Sequence, residues 1–248
     1  MVKNDYVLNT TAAFTEDADP LDPRIDHTIG RRGIQYLDWI EHPGKNWIRD
    51  QTYAGPYSPK KYVYYKRQEN TLTDGSSWTR GYATMNFNII RFADVLLMAA
   101  EAEIEAGSLT TALGYINQVR NRAANPAGFV MKGGVKEANY DIAPYTAFAD
   151  KAAATKAVRM ERMLELATEG HRFFDLVRWG IAEPYLNKYL KEESVNGTDA
   201  AGRTYNKRGY LVGKTFKAGR NEYFPLPNDE ILNSQKNGAA TLKQNPGY

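Results

Sequence analysis

At 248 residues the chain is long enough for one large domain or two small ones, and its 42% hydrophobic and 25% charged content is that of an ordinary globular protein. A net charge of +3 without a long run of like charges leaves no nucleic-acid or membrane-surface footprint, and the absence of cysteine excludes disulfides, thiolate metal sites and a cysteine nucleophile. The opening MVKNDYVLNTTAAF does not have the basic and apolar blocks of a signal peptide, and no apolar stretch approaches the ~20 residues of a membrane helix. Taken literally these features describe a cytoplasmic protein; taken as a fragment, the chain has lost its address label with its N-terminus.

Residues 1–86 show little helical periodicity. DPRIDHTIGRRG and HPGKNWIRDQTYAGPYSPKK are full of turn formers, so this stretch is expected to be ordered loops with isolated strands, one of them over residues 62–66. Residues 87–190 form a helical region. Helix begins at Asn88, and from Ile89 to Ala100 the only charges are Arg91 and Asp94, which predicts a helix buried on most sides. Ser108 is placed to cap a second helix carrying Leu109, Ala112, Leu113, Ile116 and Ala123 on one face. Together, residues 89–106 and 108–122 predict an antiparallel helical hairpin with Phe92, Leu96, Leu113 and Ile116 in its core, close in length to a tetratricopeptide unit. A loop over residues 124–149 precedes a helix over residues 150–168. Gly170 interrupts that helix, and a short one through Phe173, Phe174, Val177 and Trp179 stops at Gly180. Residues 191–248 make a loop and a C-terminal edge segment, in which NEYFPLP reads as an edge strand because its two prolines forbid a central one, and Asn228 caps a last helical turn.

Two constellations could carry chemistry. The first is the charged set Arg159, Glu161, Arg162, Glu165, Glu169, His171, Arg172, Asp175 and Arg178. A zincin-type metal site needs two histidines four apart, and only one is present, so the set reads as structural ion pairs at a helix junction. His27, His42 and His171 are nowhere at metal-ligand spacing, and no metal or cofactor is expected. The second is aromatic: ten rings fall within residues 33–82, among them three of the four tryptophans, interleaved with Asp38, Lys45, Asn46, Arg49, Asp50 and Gln51. A pyranose stacks its C–H face on a ring and satisfies its hydroxyls on planar polar groups, so this segment suits a sugar, with Trp39, Trp47, Tyr53, Tyr57 and Trp78 as the candidate stacking residues. Single-stranded nucleic acid would also need a basic groove, which Lys60, Lys61, Lys66 and Arg67 supply only modestly. A glycoside hydrolase would need paired carboxyls, for which Asp38, Glu41 and Asp50 are the available groups.

The ordered blocks DPRIDHTIGRRG, LDWIEHPGKNWIRDQTYAGPYSPKK, NIIRFADVLLMAAEAEIEAGSLTTALGYINQVRNRA, ERMLELATEGHRFFDLVRWG, YFPLPNDEILNS and NPGY resemble the C-terminal half of the SusD/RagB family. The resemblance implies a mainly α-helical protein built on tetratricopeptide-like hairpins, with long ordered loops and a few short strands, and with the N-terminal part of the family fold absent. It further implies a cell-surface lipoprotein of the outer membrane of Gram-negative bacteria, bound through a lipid anchor that this chain does not carry. Its partners would be a SusC-like TonB-dependent transporter and an oligosaccharide or other nutrient ligand, and it would bind without catalysing. The competing reading of the same helices is a helical-repeat module for protein interaction without glycan binding.

Overall fold

The computed structural model describes residues 14, 18–74, 76, 78, 82–195, 197–198, 204–205 and 208–248, with the side chains of 51, 52, 197, 198, 204 and 205 left aside. The chain divides into two compact units, residues 1–172 and 173–248.

The first unit opens with short pieces. These are α1 (Ile25–Thr28), β1 (Ile29–Gly30), β2 (Gln35–Tyr36), β3 (Ile40–Glu41), a tight 3₁₀ turn at Gly44–Trp47, α2 (Gln51–Ala54) and β4 (Ser58–Pro59). β1 pairs antiparallel with β4, and β2 with β3. The expected strand over residues 62–66 does not form. Tyr62 has φ +60°, which breaks extended backbone, and the chain goes on into a 3₁₀ turn at Lys66–Gln68.

Three helices then build the core: α3 (Phe92–Ala106), α4 (Leu109–Ala123) and α5 (Lys151–Glu165). Ser108 caps α4 by accepting the Thr111 N–H, and Asp150 caps α5 by accepting the Ala153 N–H at 2.7 Å. Leu97, Ala100 and Ile104 of α3 meet Ala112, Ile116 and Val119 of α4 and Ala154 and Val158 of α5. The small residues let the helices approach closely, and the hairpin exists as expected. In α3 the core face is shifted by one position: Leu97 is fully buried and Leu96 only partly, and Phe92 is 72% exposed instead of internal; in α4 Ile116 is fully buried as expected and Leu113 only partly. Between α4 and α5, β5 (Met131–Lys132) and β6 (Val135–Lys136) form a hairpin closed by Gly133–Gly134.

The second unit takes in most of α6 (His171–Arg178), then α7 (Ala182–Ser194), paired β7 (Gly197–Thr198) and β8 (Thr204–Tyr205), α8 (Asn228–Asn233), and paired β9 (Gln235–Lys236) and β10 (Ala239–Ala240). Leu176, Ala182 and Phe216 are its buried centre, with Phe173, Val177, Trp179, Ile181 and Leu186 around them. The edge strand expected at NEYFPLP is absent. Side-chain amides take the place of a partner strand there. Gln244 accepts the Leu226 N–H at 2.7 Å and donates to its carbonyl at 2.9 Å, and Asn245 donates to the Phe224 carbonyl at 2.6 Å. Asn228 is the first residue of α8 and makes no capping bond; Pro227 holds the cap position.

Candidate functional site

The i, i+4 spacing of Glu161 and Glu165 puts both carboxylates on one stripe of α5, and Glu169 follows just beyond its end. All three side chains are almost wholly buried, so each must be paired. Glu161 accepts from Arg24 at 2.9 Å and also pairs with Arg120. Glu165 accepts from Arg91 at 3.0 Å and from Arg122 at 2.7 Å. Glu169 accepts from Lys61 at 2.6 Å and from Arg91 at 2.8 and 2.9 Å. Burial alone would raise the Glu169 carboxyl, but the bonds from Arg91 and Lys61 outweigh it and hold the group below its ordinary value. On the neighbouring face Arg162 reaches Asp94 of α3 at 2.7 Å. Glu161, Arg162, Glu165 and Glu169 therefore belong to an ion-pair lattice whose partners come from distant parts of the chain, not from the next helical turn. Asp175–Arg178 is a pair at helical spacing.

The lattice lines a cavity of about 570 Å³ whose wall includes Arg24, Lys61, Tyr62, Arg91, Arg122 and Glu165. Each nitrogen of Arg91 already donates to Glu165 or Glu169, so the charge of that wall is largely neutralised within it.

A second buried centre fixes the loops ahead of the helices. Asp26 accepts from Arg31 at 2.7 and 2.9 Å and from the Tyr140 hydroxyl at 2.7 Å. The Lys60 ammonium donates to the carbonyls of Asp26 and Gln35 at 2.6 and 2.7 Å. Burial lowers the Lys60 amine, and the nearby carboxylates of Asp26 and Glu137 offset that only in part.

On this support sit the five aromatic candidates, in different surroundings. Trp39 is half-buried; its indole N–H donates to the Tyr64 carbonyl at 3.0 Å and its ring stands edge-on to Tyr64. Trp47 is 41% exposed and is gripped by two rings, Tyr36 at 5.2 Å and 90° and His42 at 5.2 Å and 74°. Its indole N–H makes no hydrogen bond among the described residues. Tyr53 is 66% exposed on α2, Tyr57 is half-buried, and Trp78 is 95% exposed with no ring neighbour among the described residues. Trp39 and Trp47 belong to separate ring clusters. The carboxylates considered for hydrolysis are engaged elsewhere. Asp38 accepts the backbone N–H groups of Lys66 and Arg67, Glu41 pairs with Lys132, and Asp50 accepts the Tyr53 N–H.

A model of the SusD family matches residues 5–248 of this sequence. The chain belongs to the SusD family. Among curated SusD-family relatives, SusD-like protein P2 of Formosa agariphila is 27% identical over 195 residues, covering 78% of this chain and 30% of its own length. SusD-like protein P25 of the same organism is 42% identical over 98 residues, which is 38% of this chain and 15% of that protein. Among solved structures, a SusD superfamily protein from Bacteroides vulgatus superposes with a TM-score of 0.57 at 26% identity, over 92% of this chain and 40% of that one. A SusD homolog from Bacteroides thetaiotaomicron gives the same score and identity over 92% and 41%. The chain thus spans about two fifths of the SusD structures it matches.

Two groups escaped the reading of the sequence. His42 is 1% exposed and hydrogen-bonded at both ring nitrogens. Tyr62 stacks on Phe87 at 4.4 Å beside the cavity, bridging residues 25 positions apart. A signal for His42 existed in the His-Pro-Gly turn that follows it; nothing local marks the Tyr62–Phe87 pair.

Proposed function

We propose that this SusD-family chain carries part of the ligand surface of a nutrient-binding protein at the outer membrane, one that takes up oligosaccharide and passes it to a SusC-like TonB-dependent transporter. It binds and does not catalyse. The observation that carries this reading is the state of Trp47: a large ring, held by two neighbours, 41% exposed, with no hydrogen bond at its indole N–H among the described residues. A pre-oriented ring of this kind gives a sugar a C–H stacking surface and a donor without first ordering a mobile side chain. Trp39 has its N–H already bonded, and Trp78 has no ring neighbour among the described residues, so both rank below Trp47.

The test is affinity electrophoresis of the chain on a panel of neutral and acidic polysaccharides, followed by calorimetry on whatever is retained. Trp47→Ala is expected to weaken binding at least tenfold, about 1.4 kcal/mol, at unchanged melting temperature. A neutral glycan leaves this affinity nearly independent of salt, whereas a polyanion would not. No retention on any polysaccharide, or a retained one that Trp47→Ala binds equally well, defeats the reading. A second reading, a helix-packing module for another protein, is favoured by the apolar outer face of α3, where Phe92, Val95 and Met98 are exposed.

A further inference from the structure

The ring that holds Trp47 from one side is a histidine, and its setting is unusual for one. His42 follows directly on β3, and the Gly44 N–H donates to its Nδ1 at 3.0 Å. Nδ1 is therefore an acceptor, the ring proton lies on Nε2, and Nε2 donates to the Ser58 hydroxyl oxygen at 2.9 Å. Both nitrogens are committed to the neutral imidazole. The ring also closes tightly over the backbone of β1. A methyl group added at Gly30 would lie 2.7 Å from the imidazole Cδ2 and 2.6 Å from the Tyr36 ring, so glycine is what lets both rings settle there. Tyr36 is fixed in turn by its hydroxyl, which donates to the Pro59 carbonyl at 2.5 Å. Gly30, Tyr36 and His42 together form a seat, and Trp47 rests edge-on against its two rings.

We propose that His42 is the positioning residue for Trp47, seating the indole while the imidazole is neutral and releasing it when the imidazole takes up a proton, so that ligand contact at Trp47 is lost in acid. The inference rests on Trp47 being the stacking ring of the proposed glycan surface. The acid step follows from the bonding. A proton added at Nδ1 would point at the Gly44 N–H, converting a hydrogen bond into two opposed donors at a buried ring. No carboxylate contacts the ring among the described residues. The titratable groups that face it are Lys60 on the β4 side, which adds a positive charge, and the Tyr36 phenol of β2, which stays neutral through this range. Burial, with Lys60 next, brings the imidazole down to about 4, so the seat is intact at neutral pH and opens only well below the ordinary histidine range.

The test needs no ligand. The chain is labelled with 5-fluorotryptophan, and the Trp47 resonance is assigned as the ¹⁹F line lost in Trp47→Phe. On acidification that line is expected to move and broaden with a midpoint near 4, before the far-ultraviolet dichroism of the helices changes and before the Trp39 line responds. His42→Phe keeps a ring in the seat and removes the titration, so its Trp47 line should stay sharp and lose the acid step. His42→Ala should broaden the line already at pH 7. An acid step that persists in His42→Phe, or a Trp47 line indifferent to all changes at position 42, overturns the proposal. Should His42→Ala fail to fold, His42→Phe decides alone. The glycan reading fails separately, through unchanged affinity in Trp47→Ala, and would leave the ligand-free titration as it was.

Discussion

Glu169 accepts three hydrogen bonds from two cations while almost wholly buried, so its carboxylate is worth more to the fold than to any ligand. Removing its charge with Glu169→Gln leaves Arg91 and Lys61 short of an anion in a dry site, and a loss of about 3 kcal/mol is expected, read from denaturant midpoints at pH 7. Affinity for any retained glycan should be unchanged, since Trp47 draws on a different set of contacts. The two buried titratable groups act in the same direction, each costing stability as it takes up a proton, but over different pH ranges. The Glu169 carboxyl is held below its unfolded value of 4.5, so its contribution is complete above that value and is lost as the pH falls through the lower folded value. His42 is depressed from 6.5 to about 4, so between those values the unfolded chain binds a proton that the folded chain refuses. Stability therefore falls on acidification from 6.5 to 4, by on the order of 3 kcal/mol in all. Melting curves across this range should show His42→Phe losing the upper part of the acid slope and Glu169→Gln the lower part. Identical slopes in both variants and the parent would show that neither group is linked to folding in this way.

Among the elements, α6 owes its clean end to Gly180, which has φ +66°. The Gly180 N–H donates to the Val177 carbonyl, and the Ile181 N–H reaches back to Leu176 at 3.0 Å, while the side chains of Ile181 and Leu176 pack in the same cluster. These are the two bonds and the hydrophobic contact of a Schellman motif, for which a left-handed residue is required. Gly180→Ala should cost about 1 kcal/mol by calorimetry, with the helix content unchanged. In α3 the burial is concentrated in Leu97, so Leu97→Ala should cost ~2–5 kcal/mol and Leu96→Ala distinctly less. The reversal of that order would place the core on the face first expected. What could be read from the chain was whatever local chemistry decides: the helical hairpin, its Ser108 cap, the Gly180 stop and the structural nature of the charged set. What could not be read depends on partners far away in sequence. Glu165 is paired with Arg24, Arg91 and Arg122, and the Leu226 backbone and the Phe224 carbonyl are bonded by Gln244 and Asn245 instead of by a partner strand. The same amide device recurs where Asn117 brackets the Tyr145 backbone and Asn187 that of Phe216, a side chain replacing a ladder that no periodicity announces. The candidate site could be read only as a segment. Ten rings of residues 33–82 stood out by composition, five of them as stacking candidates, but the surroundings that Tyr36, His42 and Tyr64 give Trp39 and Trp47 are contacts composition does not show.

For the molecule as a whole, the outer side of α3 is the feature with the largest physical consequence. Phe92, Val95, Met98 and Ala102 follow one another at helical spacing on the face turned away from the core, and Ile89 and Ile90 continue the apolar surface ahead of the helix. Ile89 is 79% exposed and Phe92 72%. The opposite face of the same helix holds Leu97, Ala100 and Ile104, so α3 is apolar on both sides, as a helix is when it lies between neighbours. The chain spans only about 40% of the SusD structures it matches. A contiguous apolar surface of this kind drives association of a chain studied alone. Sedimentation or light scattering of the 248-residue chain should therefore show concentration-dependent oligomers, together with strong binding of a hydrophobic dye at a pH where the far-ultraviolet spectrum is native. The double change Phe92→Lys, Val95→Lys places charge on the exposed face without touching Leu97 or Ile104, so it should restore a monomer and abolish dye binding while leaving the melting temperature within a few degrees. A parent chain that stays monomeric at high concentration and binds no dye would show instead that this face is closed in solution, and that the two units by themselves make a self-sufficient fold.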